Sequence, residues 1–178
     1  MSILLHEEYP VSVHTWGKTL KDEKPGIKLC RRRFREHGVE YVDLTHLNSN
    51  VGDCAFRNAS GEKKRIEVKT DTTNLAKKNF FMETVSVVEK EIAGWIIAGR
   101  ADYLFYYFSK RDEETVEYLF DMPKLIEWFQ KYRSYIGVWN EEKTVATRGS
   151  HSTRGIPVSV DFVLTYNPSL TFEEIFNA

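Results

Sequence analysis

The sequence predicts an α/β fold of the α+β kind, a central mixed β-sheet flanked by helices. Three observations predict it. A turn cluster, Asn58-Ala59-Ser60-Gly61, joins two extended stretches and reads as a β-hairpin. The run Tyr103 to Phe108 is strongly β-prone, with Val116 to Phe120 following as a hairpin partner. Apolar residues also recur at helical spacing on either side, first as Ile27, Cys30 and Phe34 and later as Leu125, Ile126, Phe129 and Tyr132.

In chain order, residues 1–25 give no clear pattern. A helix is expected over 27–37, after Pro25 and Gly26 and ending near Gly38, with Val39–Leu44 as a first strand. The hairpin supplies strands near 51–57 and 63–70. Residues 79–87 are aromatic and β-branched and are read as a strand, although Phe81, Val85, Val88 and Ile92 also fit a helical period. Asp121 can cap a helix that has Pro123 in its first turn. Val158–Thr165 reads as a late strand, and Thr171 with Glu174 forms a capping box for a short last helix. The whole is expected as a single domain over 1–178, with a core at about 26–130 and a C-terminal extension at about 131–178.

Register decides what the hairpin can do. With a three-residue loop, Asn58 lies opposite Glu62 and Asp53 opposite Glu67; a two-residue loop shifts Asp53 to Ile66. Side chains alternate along a strand, so Asp53, Ala55 and Arg57 share a face, as do Lys63, Arg65, Glu67 and Lys69. Cys54, Phe56, Ile66 and Val68 fall on the apolar faces. Only the three-residue loop brings polar face to polar face, so the pattern favours Asp53 opposite Glu67.

Two carboxylates directly opposite each other repel in an ordinary sheet. A hard divalent cation removes the conflict, because magnesium takes one or two carboxylates together with waters and phosphate oxygens. Such an ion polarises a phosphoryl oxygen and acidifies a bound water, and a nearby ammonium steadies the charge that builds up. Lys69, two residues after Glu67, lies on the required face. A Glu-x-Lys strand segment alone is commonly a solvated ion pair worth about 0–1 kcal/mol; the upstream acid, the turn and the register distinguish this one.

The order Asp53, turn, Glu67-Val68-Lys69 resembles the PD-(D/E)xK nuclease superfamily, with its restriction-endonuclease-like fold. Asn79 to Glu83, Gly94-Trp95 and Ala101 to Tyr107 resemble a phage-type or Holliday-junction-resolvase-like branch of it. The resemblance covers roughly 26–130, and Gly52-Asp53 stands where the name has Pro-Asp. It implies Asp53 and Glu67 as metal ligands for Mg²⁺ or Mn²⁺, Lys69 as catalytic lysine, and DNA as substrate. A cytoplasmic setting, in a bacterium or a phage-infected cell, is the expected location. Glu83 is a candidate third acid if its strand lies beside the motif strand. Asp71 could pair with Lys69, and Glu36, Glu40 or Glu23 could also reach the ion.

Composition agrees with a compact enzyme. The chain has 178 residues, 42% hydrophobic and 29% charged, with a net charge of −1. Cys30 and Cys54 are expected as buried thiols rather than a disulfide, consistent with a reducing compartment. No pair of the scattered histidines has metal-ligand spacing, which disfavours a structural zinc site. No apolar run reaches the ~20 residues of a membrane span. MSILLHEEYP lacks the basic region of a signal peptide.

Basic residues cluster despite the neutral balance. Arg31 and Arg32, Lys63 and Arg65, and Lys77 and Lys78 are candidate phosphate contacts, and Arg148, His151 and Arg154 occupy a Gly/Ser/Thr-rich loop. The aromatic run from Tyr103 is expected to be core rather than a base-stacking platform. The leading expectation is a Mg²⁺-dependent deoxyribonuclease, with a homodimer as one arrangement that would cut two strands. The alternatives are a non-catalytic DNA- or protein-binding module on the same fold and a small phage-type partner protein.

Overall fold

The computed structural model describes residues 25–45, 52–71, 79–108, 116–139, 143–146 and 152–178. The elements run α1 (Pro25–Glu36), β1 (Val42–Asp43), β2 (Cys54–Arg57), β3 (Lys63–Asp71), β4 (Asn79–Val87), a 3₁₀ turn (Val88–Lys90), β5 (Ile92–Ala93), α2 (Trp95–Ala98), β6 (Tyr103–Phe108), β7 (Val116–Asp121), α3 (Met122–Trp139), β8 (Lys143–Ala146), β9 (Ser152–Ser159), α4 (Val160–Tyr166) and α5 (Phe172–Asn177). A five-stranded mixed sheet has the order β1-β2-β3-β6-β7, and a four-stranded sheet has the order β5-β4-β9-β8.

The hairpin has the register that the hydrophobic pattern favours. Arg57 pairs with Lys63 and Cys54 with Ile66, the register of the three-residue loop; the ladder ends there, and Asp53 follows in a bend with its N–H on the Ile66 carbonyl. The turn closes through Asn58, whose N–H donates to the Glu62 carbonyl at 3.0 Å. Its side-chain oxygen accepts from Ser60 Oγ at 2.8 Å and Glu62 N at 2.7 Å. Gly61 takes φ +82°, the left-handed conformation that ends this loop without strain.

β3 and β6 pair in parallel, Glu67 beside Leu104 and Lys69 beside Tyr106. A parallel pair needs a crossover, and here the intervening chain runs through β4, β5 and α2, within the second sheet. One face of the mixed sheet, with Ile66, Val68, Tyr103 and Phe105, packs on Ile27, Cys30 and Phe34 of α1 and on Phe172 and Phe176 of α5. The other face, with Leu104, Tyr106 and Phe108, packs on Phe80 and Met82 of β4, Ile156 and Val158 of β9, and Leu125 and Phe129 of α3. Every residue of β6 is buried, so its aromatic run is core. Residues of the last third of the chain thus enter both cores.

Cys30 and Cys54 are free, buried thiols with sulfurs 3.9 Å apart. Asp121 caps α3 by accepting from Lys124 N at 2.9 Å. Leu125 and Phe129 are fully buried, while Ile126 and Tyr132 pack at the edge of the core. Thr171 and Glu174 form the expected capping box.

Three expectations are corrected. Val158–Thr165 is not one strand: β9 stops at Ser159 and α4 begins at Val160, because Val160 and Val163, three apart, bury the same helical face. β4 is a strand but does not lie beside β3. Its neighbours are β5 and β9, and β3 is flanked by β2 and β6. The first strand is also shorter than 39–44, only Val42–Asp43.

Candidate active site

Glu67 and Lys69 project from β3 on the side away from α1, because the intervening Val68 points into the α1 core. Lys69 Nζ and Glu67 Oε1 form an ion pair at 2.7 Å, with both side chains partly shielded. Asp53 enters at the bend before β2. Its Oδ2 accepts from Val68 N at 2.7 Å, which fixes the carboxylate at the backbone between Glu67 and Lys69. Its own N–H donates to the Ile66 carbonyl at 2.9 Å, and its carbonyl accepts from Leu44 N at 2.9 Å.

Gly52 makes this entry possible. It has φ +90°, and a Cβ there would stand 3.0 Å from the Ile66 carbonyl oxygen. Proline, locked near φ −65°, does not fit that conformation, which accounts physically for Gly52 ahead of Asp53.

Glu83 reaches the same place from the second sheet. It lines a cleft of about 160 Å³ together with Gly52, Glu67, Lys69, Trp95 and Arg100. The β4–β9 register shifts between Glu83 and Val85, leaving Thr84 as a bulge. Bulges re-aim side chains beside sites. Thr84 is buried, its hydroxyl donating to the Arg154 carbonyl at 3.2 Å. Gly94 lies so close that a Cβ there would collide with the Glu83 carbonyl oxygen, and Gly94 N donates to Thr84 O at 2.9 Å. Gly155, opposite Glu83 on β9, likewise has no room for a Cβ, which would come within 2.6 Å of the Met82 carbonyl oxygen.

Burial by itself would depress the Lys69 ammonium. The negative charges of Glu67 and then Glu83, the hydrogen bond that Lys69 donates to Glu67 and the charge of Asp53 together outweigh it, and the pKa ends above the ordinary 10.5. Lys69 is therefore a cation at neutral pH, ion-paired with Glu67 and across the cleft from Glu83.

Comparison with models of protein families, with curated proteins and with solved structures finds no match. The reading of this site therefore rests on its own geometry.

The other sequence candidates are placed as follows. Asp71 accepts from the Tyr106 hydroxyl at 3.3 Å, and that oxygen accepts from Phe81 N at 3.1 Å, a stitch between the two sheets. Burial and then the Asp71 charge push the Tyr106 phenol up, so it remains a donor. Arg31 and Arg32 belong to α1, on the opposite layer from Glu67. Arg31 pairs with Asp43 at 2.8 Å and lies 4.9 Å over the Tyr41 ring, while Arg32 approaches Glu36 at 3.5 Å. Glu36 also pairs with Arg33 at 2.9 Å and is committed there. Lys63 and Arg65 alternate with Glu67 along β3 and share its side of the strand. Lys77, Lys78, Glu23, Arg148 and His151 lie outside the described residues.

What sequence reasoning missed is the second wall. Trp95, Arg100 and Ala101 line the cleft; Gly94-Trp95 and the run from Ala101 stood out in the sequence only through the family resemblance, and Arg100 carried no signal. Gly94 announces close backbone approach but does not say to which strand.

Proposed function

We propose that this chain is a divalent-metal-dependent endonuclease that hydrolyses DNA phosphodiester bonds, of the PD-(D/E)xK, restriction-endonuclease-like kind. The observation that carries the reading is the Glu67–Lys69 ion pair at 2.7 Å, facing Glu83 across one cleft, with the Asp53 carboxylate anchored on Val68 N between them. An assembly of like charges beside a cation in a partly shielded site is costly to maintain for stability alone, and such sites are functional candidates.

The donor set fits a hard cation. Magnesium and manganese favour carboxylate and water oxygens, and the acids here come without clustered histidine or cysteine. Among the described residues no group of three or more His, Cys, Asp or Glu is placed to hold an ion. Asp53, anchored on Val68 N, and Glu67 would hold it as the one or two carboxylates that magnesium commonly takes, with water and phosphate oxygens as the remaining ligands. When bound, such an ion supplies Lewis-acid polarisation of the phosphoryl group and a more acidic water.

The chain's own residues do the rest. Val68 N–H fixes the orientation of Asp53. Lys69, kept protonated by its three acids, donates to a non-bridging phosphate oxygen and stabilises the charge that grows there. It acts as an electrostatic group rather than a base. Glu83, on the facing wall, accepts a hydrogen bond from the attacking water and orients it. Trp95 and Ala101 form the apolar side of the cleft and limit access of bulk water.

The test is cleavage of supercoiled, linear, branched and single-stranded DNA with Mg²⁺ or Mn²⁺, beside Glu67→Ala and Lys69→Ala. Metal-dependent cutting abolished in both variants is the expected result. Salt-sensitive binding without cutting on any substrate would overturn it in favour of a non-catalytic module.

A further inference from the structure

The outer face of α1 is strongly basic. Its 12 residues hold Lys28, Arg31, Arg32, Arg33 and Arg35 against a single acid, Glu36, in a chain whose net charge is −1. Two of the five cations are committed to neighbouring elements: Arg31 pairs with Asp43 at 2.8 Å and Arg33 with Glu117 at 2.7 Å. The other three, Lys28, Arg32 and Arg35, follow one another at i, i+4 and i+7 and so form one stripe. All three are exposed, on the side of the helix opposite the buried Ile27, Cys30 and Phe34. Arg32 meets only Glu36, at 3.5 Å and with both side chains open to solvent. The side chains of Lys28 and Arg35 form no ion pair with a described residue.

Helix stability does not account for the stripe. Like charges three and four residues apart destabilise a helix. The helix dipole favours Arg33 and Arg35 in the last turn but repels a cation in the first, where Lys28 stands. What the stripe would bind is narrowed by what it lacks. The apolar side of α1 lies in the core, so no apolar face is left to enter a membrane surface. None of the exposed large hydrophobic residues described lies on α1, so the stripe has no anchor for the core of a protein interface. Charge alone remains. Lys28 to Arg35 spans about 10 Å of helix axis, roughly three nucleotides of a DNA strand at about 3.4 Å each, and phosphate contacts need only charge.

We propose that Lys28, Arg32 and Arg35 form a sequence-independent site for the phosphate backbone of duplex DNA, separate from the candidate active site. The choice of DNA among polyanions rests on the nuclease reading. α1 covers the face of the mixed sheet that carries Ile66 and Val68, and Glu67 and Lys69 project from the other. The DNA on α1 is therefore a second segment, not the one at the cleft.

The experiment measures binding of a long mixed-sequence duplex to the full chain in EDTA, so hydrolysis does not intervene, over a series of salt concentrations. The parent is compared with the triple variant Lys28→Gln, Arg32→Gln, Arg35→Gln and with each single change. A control triple variant, Lys90→Gln, Lys124→Gln, Lys131→Gln, alters net charge equally at three other exposed lysines. The slope of log affinity against log salt should be shallower by about 2–3 in the stripe variant and by about 1 in each single variant, and should keep its parental value in the control. The urea midpoint of the stripe variant should equal or exceed the parent's, because like-charge neighbours are removed. A parental slope in the stripe variant, or an equal loss in the control, overturns the proposal. Binding of polyglutamate that depends on the stripe, with DNA binding indifferent to it, overturns DNA in favour of an acidic protein. Failure of the nuclease reading is seen separately, as absence of metal-dependent cleavage while the slope in EDTA still depends on the stripe.

Discussion

The two faces of β3 are built by different rules. On one, Ile66 and Val68 are buried against α1 and α5, with Phe34 ringed by Phe56, Phe172 and Phe176 at 4.9–6.0 Å. On the other, Glu67 and Lys69 face a cleft whose opposite wall is a different sheet. The first face stabilises the sheet, and the second presents the Glu67–Lys69 ion pair to Glu83 across the cleft. A single strand can do both because its side chains alternate, and the rigid apolar side holds the charged side in place.

The largest expected effect falls on the charged face. Glu67→Ala and Lys69→Ala should each lower kcat for metal-dependent DNA cleavage by about 10²–10³-fold, with the midpoint of urea unfolding close to that of the unaltered chain. A variant that loses folding in proportion to activity would make this face as structural as the other.

Next is the glycine packed against β4 at Glu83. In Gly94→Ala the new methyl meets the Glu83 carbonyl, and the strand must move. Overpacking of this kind costs about 1–3 kcal/mol, measurable as a lowered urea midpoint. Because Glu83 is displaced with it, kcat should fall by more than the stability loss explains. Wild-type kcat in a destabilised Gly94→Ala would remove Glu83 from the mechanism.

Much of the first sheet was legible before the structure. The Asn58–Gly61 turn left two registers open, and alternation on both arms chose the one that aligns the apolar faces, which is the one observed. Tyr103–Phe108 was plain because both faces of a central strand are apolar. The second sheet was not. β9, STRGIPVS, carries Gly, Pro and two serines, so its pattern is faint. Val158 to Thr165 then looks uniformly β-prone although the backbone turns helical at Val160. Glu83 was recognised as an acid worth following, but its route to Lys69 depends on a bulge at Thr84 and on the bare α-carbons of Gly94 and Gly155, contacts between segments far apart in sequence.

The apolar face offers a milder contrast. Ile66→Val removes one methylene from a fully buried side chain and should cost about 0.5–1.5 kcal/mol in chemical unfolding. Its kcat should equal that of the parent wherever both are folded. A change in kcat from this variant would mean that the two faces are mechanically coupled rather than only joined.

The smallest expected effect is a flat line. Lys69 has its folded pKa raised above 10.5 by Glu67, Glu83 and Asp53 acting against burial. The stabilisation from its charge is therefore complete below the unfolded value and is lost only as pH rises through the folded one. In the metal-free chain the ammonium stays protonated between pH 7 and 10, so stability should show no descending limb from this group over that range. Removing an acid should shift that limit down. Glu83→Gln takes away one of the charges that hold the proton, and any alkaline fall in rate should then begin at lower pH than in the parent. A parent enzyme whose rate rises through pH 8–9 as a lysine deprotonates would reverse the assignment, making Lys69 a base and the three acids its inhibitors rather than its support.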